Sequence, residues 1–262
     1  MAGMQEASTP LPRPLLILKT GDTYEELRSP RGDFEHWVAS GLGAAMPVRV
    51  IDARVAEQAL PPANQISGVV VTGSHAMVSH REAWSERAAE WLGNLVREDE
   101  VPVLGICYGH QLLAHALGGQ AGDHPVSMEI GTVQVEATAA AAHDPLFAAM
   151  PARFEAHVVH RQSALCLPPG AVRLAGNGFE SNQAFRVGEQ AWGVQFHPEF
   201  DEDAMRGYID RQWASLENPQ ALRDRVCATP EAARLLERFG NLVAERSAAA
   251  TAPAAAETEG ST

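Results

Sequence analysis

Val101-Pro-Val-Leu-Gly-Ile-Cys-Tyr-Gly-His-Gln111 decides how this chain is read. The apolar run ending at Ile106 predicts a strand, and Gln111-Leu-Leu-Ala-His-Ala-Leu117 predicts a helix closed by Gly118-Gly119. Cys107 stands between them, with Gly105 and Gly109 two residues to either side. A strand that turns sharply at a nucleophile and leaves as a helix is a nucleophile elbow. Glycines at those two places relieve crowding where the backbone bends hardest. A thiol there also faces the positive end of the following helix, which favours thiolate over thiol. Cys107 is therefore the candidate nucleophile. A second stretch, Trp192-Gly-Val-Gln-Phe-His-Pro-Glu-Phe200, supplies what a thiol needs. His197 ends a strand that Pro198 terminates, and its imidazole is the candidate base. Glu199, two residues on, is placed to orient that ring.

Outward from the elbow, strand and helix patterns alternate. Residues 15–19, 48–52, 66–71 and 101–106 read as short buried strands. Residues 32–42 carry Phe34, Trp37 and Val38 inward as a helix, and 83–97 place Trp84, Ala88, Trp91, Leu92 and Leu95 on one helical face. This order predicts an α/β fold: a doubly wound, mostly parallel central sheet with helices on both faces. Such sheets bind ligands beyond the carboxyl ends of their strands, so Thr72-Gly73-Ser74 and Cys107 are expected to share one crevice. The second half reads differently. Residues 129–136, 153–159 and 172–175 are β-rich, and 183–187 with 191–196 form a hairpin across a Gly188 turn. These predict an added antiparallel region packing on or extending the sheet. Helices follow at 201–216 and 230–246. The expected organisation is a flexible, Pro-rich 1–14, one domain over 15–246, and a disordered Ala-, Thr- and Glu-rich tail over 247–262.

Composition narrows the function classes. The chain has 262 residues and a formal net charge of −13, which disfavours nucleic acid as a partner. No run approaches the roughly 18 apolar residues of a membrane span, and residues 1–14 lack a signal-peptide pattern. Three widely spaced cysteines, Cys107, Cys166 and Cys227, suggest neither a disulfide framework nor a metal knuckle. A cytoplasmic, reducing setting is expected, and it would keep Cys107 free.

Gly105-Ile-Cys-Tyr-Gly-His-Gln111 and Gly193-Val-Gln-Phe-His-Pro-Glu199 resemble the two signatures of the class I (triad) glutamine amidotransferases. The likeness is strongest to the glutaminase domain of guanosine monophosphate synthetase and its free-standing relatives, and covers roughly residues 15 to 215. It implies Cys107 as nucleophile, His197 as general base and acid, and Glu199 as orienting carboxylate. The implied reaction is attack on the side-chain amide of glutamine, loss of ammonia, a γ-glutamyl thioester, and release of glutamate by water. Backbone N–H groups of Tyr108 and of Gly73 or its neighbour, in a loop resembling the family's glycine loop, would form the oxyanion hole. Gln111 matches a substrate-contacting position. Ser181 and Asn182 are assigned to the loop whose backbone holds the α-amino and carboxyl groups of the substrate.

His157 and His160 have metal-like spacing but sit in a strand-like segment, where side chains three apart point to opposite faces. Relatives often carry His-x-Asp here, whereas this chain has His160-Arg-Gln162. No metal or cofactor is assigned, and no phosphate-binding GxxxxGK[ST] loop is present. No synthetase half is evident, so the expectation is either a separate ammonia-accepting enzyme as partner or a hydrolase in its own right. The alternatives are a γ-glutamyl peptidase or hydrolase using the same thioester, and a non-catalytic regulatory or binding subunit. Which amide releases glutamate separates the first two; the intact Cys-His-Glu set argues against the third.

Overall fold

Leu15, Leu16, Ile17 and Leu18 are all fully buried, yet they serve two different cores. Successive strand side chains point to opposite faces. Leu15 and Ile17 pack with Val38, Leu235, Leu236 and Phe239 on one side. Leu16 and Leu18 pack with Ala88, Leu92, Leu112 and Leu113 on the other. An unbroken apolar strand of this kind requires both faces to be covered, as in a helix-sandwiched parallel sheet.

The computed structural model describes residues 13–43 and 47–251. Its elements in chain order are β1 (Leu15–Lys19), α1 (Glu25–Arg31), α2 (Phe34–Leu42), β2 (Val48–Asp52), β3 (Gly68–Val71), α3 (Ala83–Glu98), β4 (Val103–Ile106), α4 (Tyr108–Ala116) and β5 (Gln120–Asp123). There follow β6 (Glu129–Ala137), β7 (Arg153–His160), β8 (Gln162–Cys166), β9 (Val172–Gly176), β10 (Ala184–Val187), β11 (Ala191–Val194), α5 (Glu202–Gln212), α6 (Pro219–Asp224) and α7 (Pro230–Thr251).

Nine strands form one sheet in the order β2-β1-β3-β4-β11-β10-β9-β6-β7, and β5 pairs with β8 in a separate antiparallel ribbon. The strands from β2 to β11 are mutually parallel; from β11 to β7 each pairing is antiparallel, so only β10 and β6 run against the rest. The fold is the mostly parallel α/β sheet expected, with helices on both faces. The antiparallel strands extend that sheet. Because β1, β3, β4 and β11 are parallel neighbours, the segments after them (from Thr20, Thr72, Cys107 and Gln195) emerge side by side at one edge.

Three features were not read from the sequence: α1, α6 and the β5–β8 ribbon. α7 continues to Thr251, so residues 247–251 are helical, not part of a disordered tail; the remainder of that tail and residues 1–12 lie outside the described residues. Among the described residues no helix is long and apolar enough to cross a membrane.

Candidate active site

The backbone at Cys107 has φ 50° and ψ −98°, outside the regions open to an ordinary L-residue. Strain of this sort costs on the order of 1–3 kcal/mol and persists only where the surroundings impose it. Here both backbone groups are held: Cys107 N donates to Val194 O at 2.8 Å, and Cys107 O accepts from Gln111 N at 3.1 Å as α4 begins. The flanking glycines are needed because the chain folds tightly on itself. A Cβ on Gly105 would stand 2.4 Å from Gly109 O, and one on Gly109 would stand 2.5 Å from Val71 O. Cys107 itself is buried, with Sγ 3.8 Å from the carbonyl of Val159 on β7.

His197 arrives from the next strand. Its N–H donates to His157 O at 2.8 Å, its ring stacks on Phe200 with centroids 4.1 Å apart, and Nδ1 lies 2.8 Å from Glu199 Oε1. Both side chains are almost completely buried, at 3% and 0% exposure. Burial disfavours the charged imidazole, but the charges of Glu199 and Cys107 and contacts with both outweigh it, and the His197 pKa is raised to about 10. Nε2 makes no hydrogen bond of normal geometry among the described residues. The Cys107 thiol is near enough to raise the ring's pKa but is not aligned with Nε2 for such a bond.

Gly73 lies between these groups. A Cβ there would come within 3.1 Å of His197 Cε1 and 3.8 Å of Cys107 Cβ. Its carbonyl has the hydroxyls of Thr20 and Thr72 each at 3.1 Å, and Ser74 Oγ donates to Thr20 O at 2.8 Å, so the loop after β3 is tied to the loop after β1. Tyr108 is anchored through its side chain: the phenol meets Ser85 Oγ at 2.6 Å and the ring stacks on Trp84. Burial pushes that phenol up to about 12. These contacts fix the two peptides expected to face a developing oxyanion.

A cavity of about 300 Å³ opens on Cys107 and is lined in part by Ser74, Tyr108, Gln111, His160, Arg161 and Gln162. Gln111 is brought to it as expected, with Nε2 donating to Gln162 O at 2.7 Å and Gln195 Oε1 at 3.0 Å. Ser181 and Asn182 are not among its lining residues. Asn182 instead donates to Ala164 O at 2.8 Å, and the segment bordering the cavity is 159–162, where β7 passes into β8. The sequence offered a pointer to that segment in His160-Arg-Gln162. His160 Nε2 lies 2.9 Å from Glu129 on β6, so the carboxylate absent at position 162 comes from another strand. Gln162 turns to Asp123 and Ser79 instead. Glu129 also accepts from Gln183 and Asn177, completing a buried polar network behind the cavity. No group of three potential metal ligands occurs among the described residues.

The parallel-sheet fold with a cysteine elbow and an adjacent His-Glu pair defines a class, and comparison with known proteins agrees. The chain belongs to the class I glutamine amidotransferase family, whose family model matches residues 34–212. It is 39% identical over 146 residues to the glutamine-hydrolysing GMP synthase of Thermomicrobium roseum, covering 56% of this chain and 26% of that protein. It is 32% identical to that of Aeropyrum pernix, covering 71% and 34%. The chain thus spans about a quarter to a third of those relatives. A γ-glutamyl peptidase 4 of Arabidopsis thaliana is 26% identical over 83% of this chain and 87% of its own length. Among solved structures, a glutamine amidotransferase from Thermotoga maritima shares the fold with a TM-score of 0.69, at 21% identity and covering 89% and 99% of the two chains.

Proposed function

We propose that this chain is an amidohydrolase that cleaves the side-chain amide of glutamine through a Cys107 γ-glutamyl thioester. The observation that carries the proposal is the pairing of buried His197 with Glu199 through Nδ1 while Nε2, beside the strained Cys107, keeps no other partner among the described residues. In this reading His197 draws the proton from Sγ, Sγ attacks the amide carbon, and the same proton passes to the leaving nitrogen. Water, activated by the returned base, then releases glutamate. The N–H groups of Gly73 and Tyr108 stabilise the oxyanion, a contribution of about 3–4 kcal/mol per donor in comparable sites. Glu199 holds the ring and stabilises its charged form without taking the proton. Gln111, its two amide donors engaged internally, offers Oε1 to a substrate N–H. Ammonia would pass to a separate accepting enzyme or be the end product.

Hydrolysis of γ-glutamyl conjugates is the second reading, favoured by the near full-length likeness to the Arabidopsis γ-glutamyl peptidase. The test is incubation of the purified protein with glutamine and with γ-glutamyl peptides while glutamate and ammonia are measured. Glutamate released from a γ-amide by the wild type, and lost in Cys107→Ser, is expected. Undiminished release by Cys107→Ser would refute the thioester route.

A further inference from the structure

Two cavities open side by side at the carboxyl edge of the sheet. Beside the 300 Å³ cavity at Cys107 lies one of about 730 Å³, and Met128, Arg161 and Gln212 line both, forming the boundary. Glutamine has no use for the outer one: its amide nitrogen carries only hydrogen, and departing ammonia needs little room. Resting on the thioester reading above, we propose that the outer cavity is a subsite for the amine half of a γ-glutamyl amino acid or short γ-glutamyl peptide, in which Arg161 binds the carboxylate next to the scissile bond.

Arg161 is suited to this by position and by lack of other employment. It occupies the bend between β7 and β8, with its backbone carbonyl fixed by His124 N–H at 2.8 Å. Its side chain is exposed and makes no ion pair among the described residues, whereas Arg31, Arg54 and Arg186 of this acidic chain all pair with carboxylates. Among the described residues it is the one lysine or arginine on the lining of either cavity. In a γ-glutamyl amino acid the carboxylate sits on the carbon bonded to the scissile nitrogen. Its cation must therefore stand at the boundary of the two cavities, not at the far wall of the outer one. A guanidinium can grip a carboxylate through two parallel N–H bonds, which fixes orientation as well as charge. The side chain of the released residue would continue into the outer cavity, where Ile130, Phe179 and Leu222 present apolar surface. The chemistry is unchanged. The Sγ–C bond forms, the C–N bond breaks, the leaving α-amine takes its proton from His197, and water cleaves the thioester to glutamate and free thiol.

The test compares γ-glutamylleucine with γ-glutamylleucinamide, which lacks only the carboxylate charge. Wild type is expected to favour the free carboxylate in kcat/KM by roughly ten- to a hundred-fold. Arg161→Gln should collapse that ratio towards one, and Arg161→Lys should keep part of it. A wild-type ratio near one would overturn the proposal. So would a ratio that survives Arg161→Gln while both substrates weaken together, since Arg161 would then hold the glutamyl half. Calorimetric binding of the same pair to Cys107→Ala reads the preference without turnover, and absence of γ-glutamylleucine binding there also overturns it. Failure of the thioester reading looks different: the Arg161-dependent preference would persist in binding while Cys107 resisted a glutamine-mimicking electrophile.

Discussion

In the proposed mechanism the Cys107 sulfur depends on two neighbours with different tasks, and substitution separates them. Cys107→Ser changes one atom and should abolish glutamate release while leaving the thermal midpoint within a few degrees of wild type. His197→Ala should cost more turnover than Glu199→Gln, because the orienting carboxylate does not itself move the proton. Equal losses in kcat would assign Glu199 a further role. The raised pKa of His197 makes a separate prediction about stability. The folded protein holds that proton more tightly than the unfolded chain, so its stabilising contribution is complete below the ordinary value of 6.5 and disappears as pH rises through about 10. The stability gap between wild type and His197→Ala, measured by denaturant unfolding, should narrow over that range. A gap that is flat or widens would mean that Glu199 and Cys107 do not hold the ring charged. Much at this scale was legible in advance. Cys107, His197 and Glu199 lie in two short motifs whose strand and turn chemistry is local. His160-Arg-Gln162 stood out in the sequence, but its meeting with Glu129 did not, because that depends on the pairing of β6 with β7, which no local pattern fixes.

The elbow element shows how sequence enforces geometry. Gly105 on β4 and Gly109 on α4 face backbone atoms, which cannot rotate away as a side chain could. Gly109→Ala should cost roughly 1–3 kcal/mol through overpacking, and more if the positive φ at Cys107 is disturbed with it. Loss of activity exceeding loss of stability is expected, read by comparing kcat with the denaturant midpoint. A Gly109→Ala variant with full activity would show that strand and helix can separate without moving the thiol. Elements with strong local signals stood out in the sequence: β1 and β2 have the expected bounds, and α3 begins where expected and runs one residue longer. The β5–β8 ribbon was missed for a physical reason. Gln120-Ala-Gly-Asp123 has neither β-branched residues nor alternation, and its strand character comes entirely from its partner. α1 was missed because Pro30 lies inside it and none of its residues is buried, leaving no apolar face to read.

For the whole molecule, buried histidines set a limit in acid. Burial is the main cause that pushes His110 down to about 3 and His157 down to about 4. Below the ordinary value of 6.5 the unfolded chain therefore binds protons that the folded state refuses, and stability falls as pH falls from 6.5 towards 4. His157→Gln should flatten that fall in urea midpoints relative to wild type; an unchanged slope would mean that His157 takes up its proton without unfolding. The reactivity of Cys107 can be tested directly, because three cysteines are free. Cys107 is buried, while Cys166 and Cys227 are exposed, so accessibility and activation make opposite forecasts. Mass spectrometry after brief exposure to a glutamine-mimicking electrophile should find the adduct on Cys107, with Cys166 and Cys227 unmodified and the labelling lost in His197→Ala. Labelling of the two exposed thiols with Cys107 untouched would contradict the account.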